Sequence, residues 1–370
     1  MGNTRFDVCA PGGIWGSQFQ NSINNQIPKH ELGTVAAWRK FFLGIPRRRS
    51  RAYFKQMAFV IVIGAGVSGL VCARKLQSAG VGVRVLEKSR SLGGRSASRQ
   101  FEGAVIDTGA QYLSLGCESL LTEVQCLLGP NLCEIDLPLL DERMQVRPGG
   151  SRYFHREGNN RLGKALAQGL QVELEHQVTR IETGDRRVLV DGMECDAVVL
   201  SAPWTQSAAL LGFETGTIYE PCLTAAFAYE GPPSGPGHIV YGLMGTDALA
   251  WSACENAKRG RVPDDLTMMI AQASPDFSVE NFDQPPETWG AELREMIEMR
   301  WEIDPSRFRS QFTHRWKFSR RMAPSGGVDQ LPAGCFVAGD SVCESRVESV
   351  WQSGASTAEA VMDWLSSGSA

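Results

Sequence analysis

Residues with the capacity for chemistry gather in three stretches of the chain. In the first, FVIVIGAGVSGL, Gly64, Gly66 and Gly69 take the spacing G-x-G-x-x-G, and an acid, Glu87, follows 18 residues after the last glycine. The first glycine of such a set permits a tight turn, and the second lets backbone approach a pyrophosphate with no Cβ in the way. The third lets a helix pack closely on a strand, and the later acid accepts hydrogen bonds from both ribose hydroxyls of an adenosine. In the second, CFVAGDSVCESRVESVWQSGASTAEAV, Asp340 follows a glycine, and a small-residue helix is predicted from near Val347. In the third, THRWKFSRR, aromatic and cationic side chains alternate.

The elements that must position these groups are legible around them. Ala58–Ile63 is an unbroken apolar, β-branched run, which suits a strand buried on both faces. A helix is predicted over Val67–Ala79, with Leu70, Ala73 and Leu76 on one side and a stop at Gly80. A second strand, Val81–Leu86, delivers Glu87. The distant unit is predicted as a strand over Cys335–Ala338 running into Gly339-Asp340. A dinucleotide such as NAD does not require that second unit, whereas a longer cofactor does. Asp340 is placed to accept hydrogen bonds from a ribityl chain, and the helix N-terminus at Glu348–Trp351 to aim its positive dipole end at the electron-rich edge of a flavin. FAD is the cofactor that fits both units. Read as a strand, Thr313–Arg321 sends His314, Trp316 and Phe318 to one side and Arg315, Lys317 and Ser319 to the other. The aromatic side either walls a pocket for a flat substrate or is core. The cations Arg320, Arg321, Lys258, Arg259 and Arg261 either rim a phosphate-attracting mouth or form a wet surface.

The order G-A-G-x-x-G-L, V-x-V-x-E-K, L-G-G-R, D-x-G-A-Q-Y and a final A-G-D before a helix resembles the FAD-dependent amine oxidase superfamily. The stretches IDTGAQYLS, LAWSACENAKRGR, THRWKFS and SRVESVWQSG are most similar to its renalase-like branch. The resemblance runs from Met57 to Leu365 and is thin between about 115 and 170. It implies pyrophosphate contacts at Gly64, Gly66, Ser68 and Gly69, ribose contacts at Glu87, and a place beside the phosphates and flavin for Gly94, Arg95 and Gln111. It further implies that Val178 meets the adenine and that Asp340, Glu348 and Val350 complete the flavin end. Some relatives attach FAD through a cysteine about thirty residues before the C-terminal Gly-Asp; RSQFTHRW has none, so the flavin is expected to be non-covalent.

For this branch the resemblance implies oxidation of isomeric dihydro-NAD(P) to NAD(P)+ by hydride transfer to flavin N5, with O2 reoxidising the flavin to give hydrogen peroxide. A flavin amine oxidase acting on a primary or secondary amine is the alternative, and a flavin-binding redox sensor without turnover is a third. Neither oxidation requires a protein base, and His314 and Trp316 are the candidate catalytic residues.

The fold class expected is α/β: a Rossmann-type FAD-binding domain interleaved with a smaller α+β, sheet-containing substrate domain. The expected boundaries are 57–113, 171–212 and 331–366 for the FAD domain and 114–170 and 213–330 for the substrate domain. The latter includes a helix around Cys117–Leu128, strands in LTAAFAYEG and LTMMIAQAS, and a helix from about Pro286 to Trp301 with Met296 and Met299 packed in the core. The chain's 370 residues and 43% hydrophobic content suffice for two such domains. No apolar run approaches the roughly 20 residues of a membrane span. Ten scattered cysteines without a C-x-x-C pair suggest reduced thiols and a cytoplasmic location. Five histidines with no H-E-x-x-H give no metal site, the absence of G-x-S-x-G gives no hydrolase elbow, and a net charge of −4 argues against a nucleic-acid partner.

Residues 1–56 stand apart, with nine Lys/Arg against two acids. RRRSRAYFKQMAFVIVIG has the look of a twin-arginine signal, but cleavage after its apolar part would remove the phosphate loop. A basic amphipathic helix in HELGTVAAWRKFFLGIP is one reading; a disordered extension, or a start placed upstream of Met57, is the favoured one.

Overall fold

The computed structural model describes residues 58–147, 150–184, 187–214, 216, 219–322 and 326–367. The expectations for residues 1–56 lie outside these. In chain order the main elements begin with β1 (Phe59–Ile63), α1 (Val67–Ser78), β2 (Gly82–Leu86), β3 (Ser98–Phe101), β4 (Ala104–Asp107) and α2 (Glu118–Leu128). They continue with β5 (Gln171–Glu173), β6 (Ala197–Leu200), α3 (Trp204–Leu210), β7 (Tyr219–Glu230), β8 (Gly242–Met244), β9 (Leu249–Cys254) and β10 (Leu266–Ala273). Last come α4 (Pro286–Arg300), β11 (Phe308–Arg321), β12 (Cys335–Val337) and α5 (Val347–Ser367).

β1 is the middle of a five-stranded sheet in the order β12-β6-β1-β2-β5, every pair parallel. Its neighbours come from residues far apart in sequence: Ile61 faces Val198 on one side and Arg84 on the other. The apolar run predicted this double burial. Val60 and Val62 pack with Leu70, Ala73 and Leu76 of α1 and Val361 of α5, while Ile61 and Ile63 pack with Val198, Leu200 and Trp204. Parallel strands need such covering on both faces.

The second large sheet has the order β11-β7-β10-β9-β8 followed by the two-residue strand Leu139–Leu140. Its long central strands are antiparallel, and β7 shows the period of two expected of a strand. Leu223, Ala225, Phe227 and Tyr229 face Trp289, Leu293 and Ile297 of α4, whereas Ala226 and Ala228 face Ile106 of β4 with Met268 and Ile270. On α4 the expectation for the methionines is corrected. Met296 is partly packed on this core, but Met299 is 78% exposed, because the helix presents that position away from the sheet. Among the described residues no helix is long and apolar enough to cross a membrane, and the nine described cysteines are free.

Candidate active site

A cavity of about 1110 Å³ opens at the carboxyl ends of β1 and β2 and reaches across to β11. Ligands of parallel sheets bind outside the carboxyl ends of the strands. Of the twelve cofactor-contact residues expected from sequence, Gly64, Gly66, Ser68, Glu87, Gly94, Arg95, Val178 and Val350 line it; His314 and Trp316 line it too.

The loop from β1 to α1 forms its floor. Gly64 has φ +107°, a left-handed conformation that favours glycine, and its N–H donates to the Leu86 carbonyl at 2.8 Å, tying the turn to β2. A Cβ built on Gly66 meets nothing within 4 Å, so the space above this cavity-lining residue is open. α1 begins there with no side-chain cap and no acid in its first turn, leaving first-turn N–H groups for an anion. The Glu87 carboxylate, 9% exposed, accepts the Ala65 N–H at 2.7 Å and the Ser89 N–H at 2.8 Å, which fixes it at the end of β2. These features fit a dinucleotide pyrophosphate and its adenosine.

Four expected contact residues do not line the cavity, each for a visible reason. A Cβ on Gly69 would overlap the Gly64 carbonyl oxygen, so this glycine serves close packing of α1 on its own loop. Asp340, 2% exposed, is engaged by Arg95 at 2.5 Å and by the Ser345 hydroxyl at 2.8 Å. Burial alone would raise its pKa, but the Arg95 guanidinium holds it below the usual carboxylate range. Arg95, which also donates to the Ser319 carbonyl at 3.1 Å, thus links the first Gly-Gly-Arg segment, the C-terminal Gly-Asp and β11. Gln111 is buried; its amide nitrogen donates to the carbonyls of Asp107 at 2.6 Å and Gly109 at 3.1 Å, and its Oε1 has no partner among the described residues. Glu348, in the first turn of α5, accepts the Gly116 N–H at 3.3 Å.

The far wall is built by the second sheet. Across it His314, Thr224 and Gln272 stand in register, and His314 and Gln272 reach the cavity. Trp316 shares the His314 face, with ring centroids 4.5 Å apart at 70°. Its indole N–H donates to the Thr108 carbonyl at 2.8 Å, while Gln272 donates to the Gly109 carbonyl at 3.0 Å. The wall is therefore bonded to the loop 107–111. Burial, and secondarily the neighbouring Arg99, lower the His314 pKa, so its ring is neutral near pH 7.

The simple alternation expected for Thr313–Arg321 holds as far as Trp316 and then breaks. Glu220 pairs with Arg320 but Cys222 with Trp316, so Lys317, Phe318 and Ser319 stand opposite a single residue of β7. At such an irregularity a strand bends, and Lys317, Phe318, Ser319 and Arg320 all line the cavity. Arg315 alone keeps to the opposite face, donating to the Phe282 carbonyl at 2.7 Å and lying 5.7 Å from the Trp289 ring.

The expected basic mouth is corrected in its composition. Lys258 and Arg261 are 0% and 2% exposed and belong to a buried cluster with Asp107 and Glu255. Lys258 Nζ lies 2.8 Å from Asp107 and 2.7 Å from Glu255. Arg261 pairs with Asp107, lies 3.3 Å from Glu255, and donates to the His155 carbonyl at 2.7 Å. Burial alone would raise the Asp107 pKa, but Arg261 and Lys258 hold it at about 2. Burial raises that of Glu255. Arg259 is exposed and pairs with Asp136 at 3.0 Å. Arg320 pairs with Glu220 at 2.7 Å, and Arg321 donates to the Cys343 carbonyl at 3.1 Å. The sequence had one overlooked signal: Glu255 precedes Lys258 by three residues, a spacing for local ion pairs.

Gly354 is a second residue that sequence reasoning missed. A Cβ there would overlap the Ser68 carbonyl oxygen, so this glycine lets α5 approach the start of α1. Glycine inside a helix is otherwise unfavourable by roughly 1 kcal/mol.

A glycine cradle at the head of a parallel sheet, closed by a distant strand–Gly–Asp–helix unit, defines a flavin-binding oxidoreductase. Comparison with known proteins agrees. A NAD(P)-binding Rossmann-like domain profile matches residues 62–122, and that of the flavin containing amine oxidoreductases matches residues 126–362. The chain belongs to the flavin containing amine oxidoreductase family, whose cofactor is FAD.

Putrescine oxidase of Kocuria rosea is 31% identical over 152 residues, 40% of this chain and 28% of that protein. Polyamine oxidase 5 of Oryza sativa subsp. japonica is 43% identical over 74 residues, 20% of this chain and 15% of that protein. The matched stretches thus span well under half of these relatives. Among solved structures, a putative protoporphyrinogen oxidase from Exiguobacterium sp. 255-15 superimposes with a TM-score of 0.69 at 15% identity, covering 82% of this chain and 98% of that one. Reduced UDP-galactopyranose mutase gives 0.67 at 10% identity, covering 83% and 96%. These structural likenesses concern the fold.

Proposed function

We propose that the protein oxidises isomeric dihydro-NAD(P) to NAD(P)+, with O2 as the final acceptor, and that FAD is held without a covalent bond. FAD supplies a two-electron acceptor that O2 can reoxidise with hydrogen peroxide as product. The chain's own residues bind and orient. Gly64, Gly66 and Ser68 would hold the pyrophosphate with the α1 N-terminus, Glu87 and Val178 the adenosine, and Arg95 and Val350 the flavin half. Asp340 would act by fixing Arg95 rather than by direct contact. His314 and Trp316 would press a flat ring toward the flavin and exclude water. The division expected from sequence, residues 57–113, 171–212 and 331–366 for FAD against 114–170 and 213–330 for substrate, is part of this proposal.

The observation that carries the substrate choice is the charge of the cavity. Among its described lining residues the one acid is Glu87, with both oxygens already engaged, against six cations; Arg95, Arg320 and Arg346 pair with Asp340, Glu220 and Glu344, and Lys88, Arg99 and Lys317 pair with no carboxylate among the described residues. Such a lining attracts phosphates and raises the cost of bringing in an ammonium group. Amine oxidation is the second reading, favoured by the names of the relatives, putrescine oxidase and polyamine oxidase 5. Anaerobic mixing decides between them. Bleaching of the flavin by 2- or 6-dihydroNAD(P), and not by putrescine or benzylamine, is expected; the reverse pattern refutes the proposal. Release of all FAD on acid precipitation tests the non-covalent attachment.

A further inference from the structure

The six cations that line the cavity are not equivalent. Lys88 donates to Gln206 at 2.7 Å, near the adenosine end beside Glu87. Arg95 is neutralised by Asp340, Arg320 by Glu220 and Arg346 by Glu344. Lys317 is exposed, with its ammonium 5.7 Å from the Phe318 ring. Arg99 differs from all of these. It is half-buried on β3, and among the described residues it pairs with no carboxylate and its one side-chain hydrogen bond is from NH1 to the Ser98 carbonyl at 3.0 Å. A guanidinium carries five N–H donors in a rigid fork. Those not bonded to Ser98 are open to the cavity, so a ligand there can take them without breaking any contact within the protein. β3 lies against β11, with the Phe101 and Phe312 rings 6.0 Å apart, so Arg99 lines the cavity on the side of the aromatic wall; consistently, it lowers the His314 pKa.

We infer that Arg99 is the specificity-determining residue of the substrate site: its guanidinium grips a phosphoryl group of the substrate in a two-pronged hydrogen bond while the substrate's flat ring rests on Trp316 and His314. The planar fork matches a phosphate in shape as well as charge, which a lysine's point charge does not. β3 is well suited to hold it, since Ser98 beside it is bonded to Asp107 at 2.6 Å and the strand is paired with β4 along its whole length. His314, neutral near pH 7, adds no second cation to compete with Arg99 for the phosphoryl group.

This inference rests on the dihydronicotinamide reading, and the experiment separates the two. The half-saturating concentrations of dihydronicotinamide mononucleotide and of the phosphate-free riboside are measured for the wild type, Arg99→Gln and Arg99→Lys. In parallel, inorganic pyrophosphate is titrated into each FAD-loaded protein and followed by the flavin absorption spectrum. Arg99→Gln is expected to raise the mononucleotide value relative to the riboside value about 10- to 100-fold, the equivalent of one lost charge-assisted hydrogen-bond pair. Arg99→Lys is expected to restore part of it, and pyrophosphate to perturb the wild-type spectrum at concentrations that leave Arg99→Gln unchanged. An unaltered mononucleotide-to-riboside ratio overturns the role of Arg99 while leaving the substrate reading intact. Failure of every dihydronicotinamide to reduce the flavin, with pyrophosphate binding still dependent on Arg99, removes the substrate reading and keeps the phosphate site. Equal pyrophosphate binding by wild type and Arg99→Gln removes the site. Unchanged flavin content and circular dichroism in both variants confirm that folding is not the cause.

Discussion

Replacing Lys258 by methionine tests the buried cluster at its least tolerant point. The ammonium lies between Asp107 and Glu255 at 2.8 and 2.7 Å, and all three side chains are fully buried. Methionine keeps the length and removes the charge, so Arg261 is left to offset two carboxylates. Removing one partner of a buried ion pair costs about 3–5 kcal/mol, far more than the exposed pair of Arg259 and Asp136 could contribute. The penalty has a built-in relief. Burial already raises the Glu255 pKa, and without Lys258 this carboxyl takes up a proton more readily. A carboxyl whose folded pKa lies above its unfolded value binds more protons when folded. Stability is then gained as pH falls from the folded pKa toward the unfolded one. Lys258→Met is therefore expected to lose about 3–5 kcal/mol at pH 8 and less at pH 6, and Lys258→Met with Glu255→Gln to recover most of the loss. Urea unfolding of the FAD-loaded protein, followed by far-UV circular dichroism and flavin fluorescence, measures this. A loss below about 1 kcal/mol, or one independent of pH, would refute the claim that the cluster is a desolvated charge network.

Other perturbations follow from single contacts. Gly354→Val is expected to cost more than about 3 kcal/mol and to release flavin, because the side chain meets the Ser68 carbonyl; measured flavin content and melting temperature check it. Trp316→Phe removes the 2.8 Å bond to the Thr108 carbonyl and is expected to cost about 1–2 kcal/mol in urea unfolding. His314 has a lowered pKa, so below about pH 6.5 the unfolded chain takes up a proton that the folded one refuses, and stability falls with acid. His314→Gln should flatten that part of the stability–pH curve, leaving the part due to His155, whose pKa burial lowers in the same direction.

Much of the cofactor cradle was readable because its determinants are local. β1, the glycines, α1 and Glu87 lie within thirty residues, and each was placed by hydrophobic pattern, turn chemistry or capping. The strand carrying His314 and Trp316 was readable from its alternation as far as the pairing on β7 stays regular. Beyond that point the outcome depends on a partner strand almost a hundred residues away. Lys258 and Arg261 were misread for a related reason: a basic run looks like wet surface, and nothing local brings Asp107 beside it across about 150 residues. Arg99 carries no signal at all in SASRQ, because what distinguishes it is the lack of an acid partner among the described residues, which only tertiary structure reveals.

The approach of α5 to α1 at Gly354 bears on how the protein is made. During synthesis the phosphate loop leaves the ribosome early, yet the helix that packs on it and the last strand of its sheet emerge nearly three hundred residues later. At about 5–20 residues per second that interval is tens of seconds. For this time the growing polypeptide holds half a nucleotide pocket, so vitamin capture must await the synthesis and docking of α5.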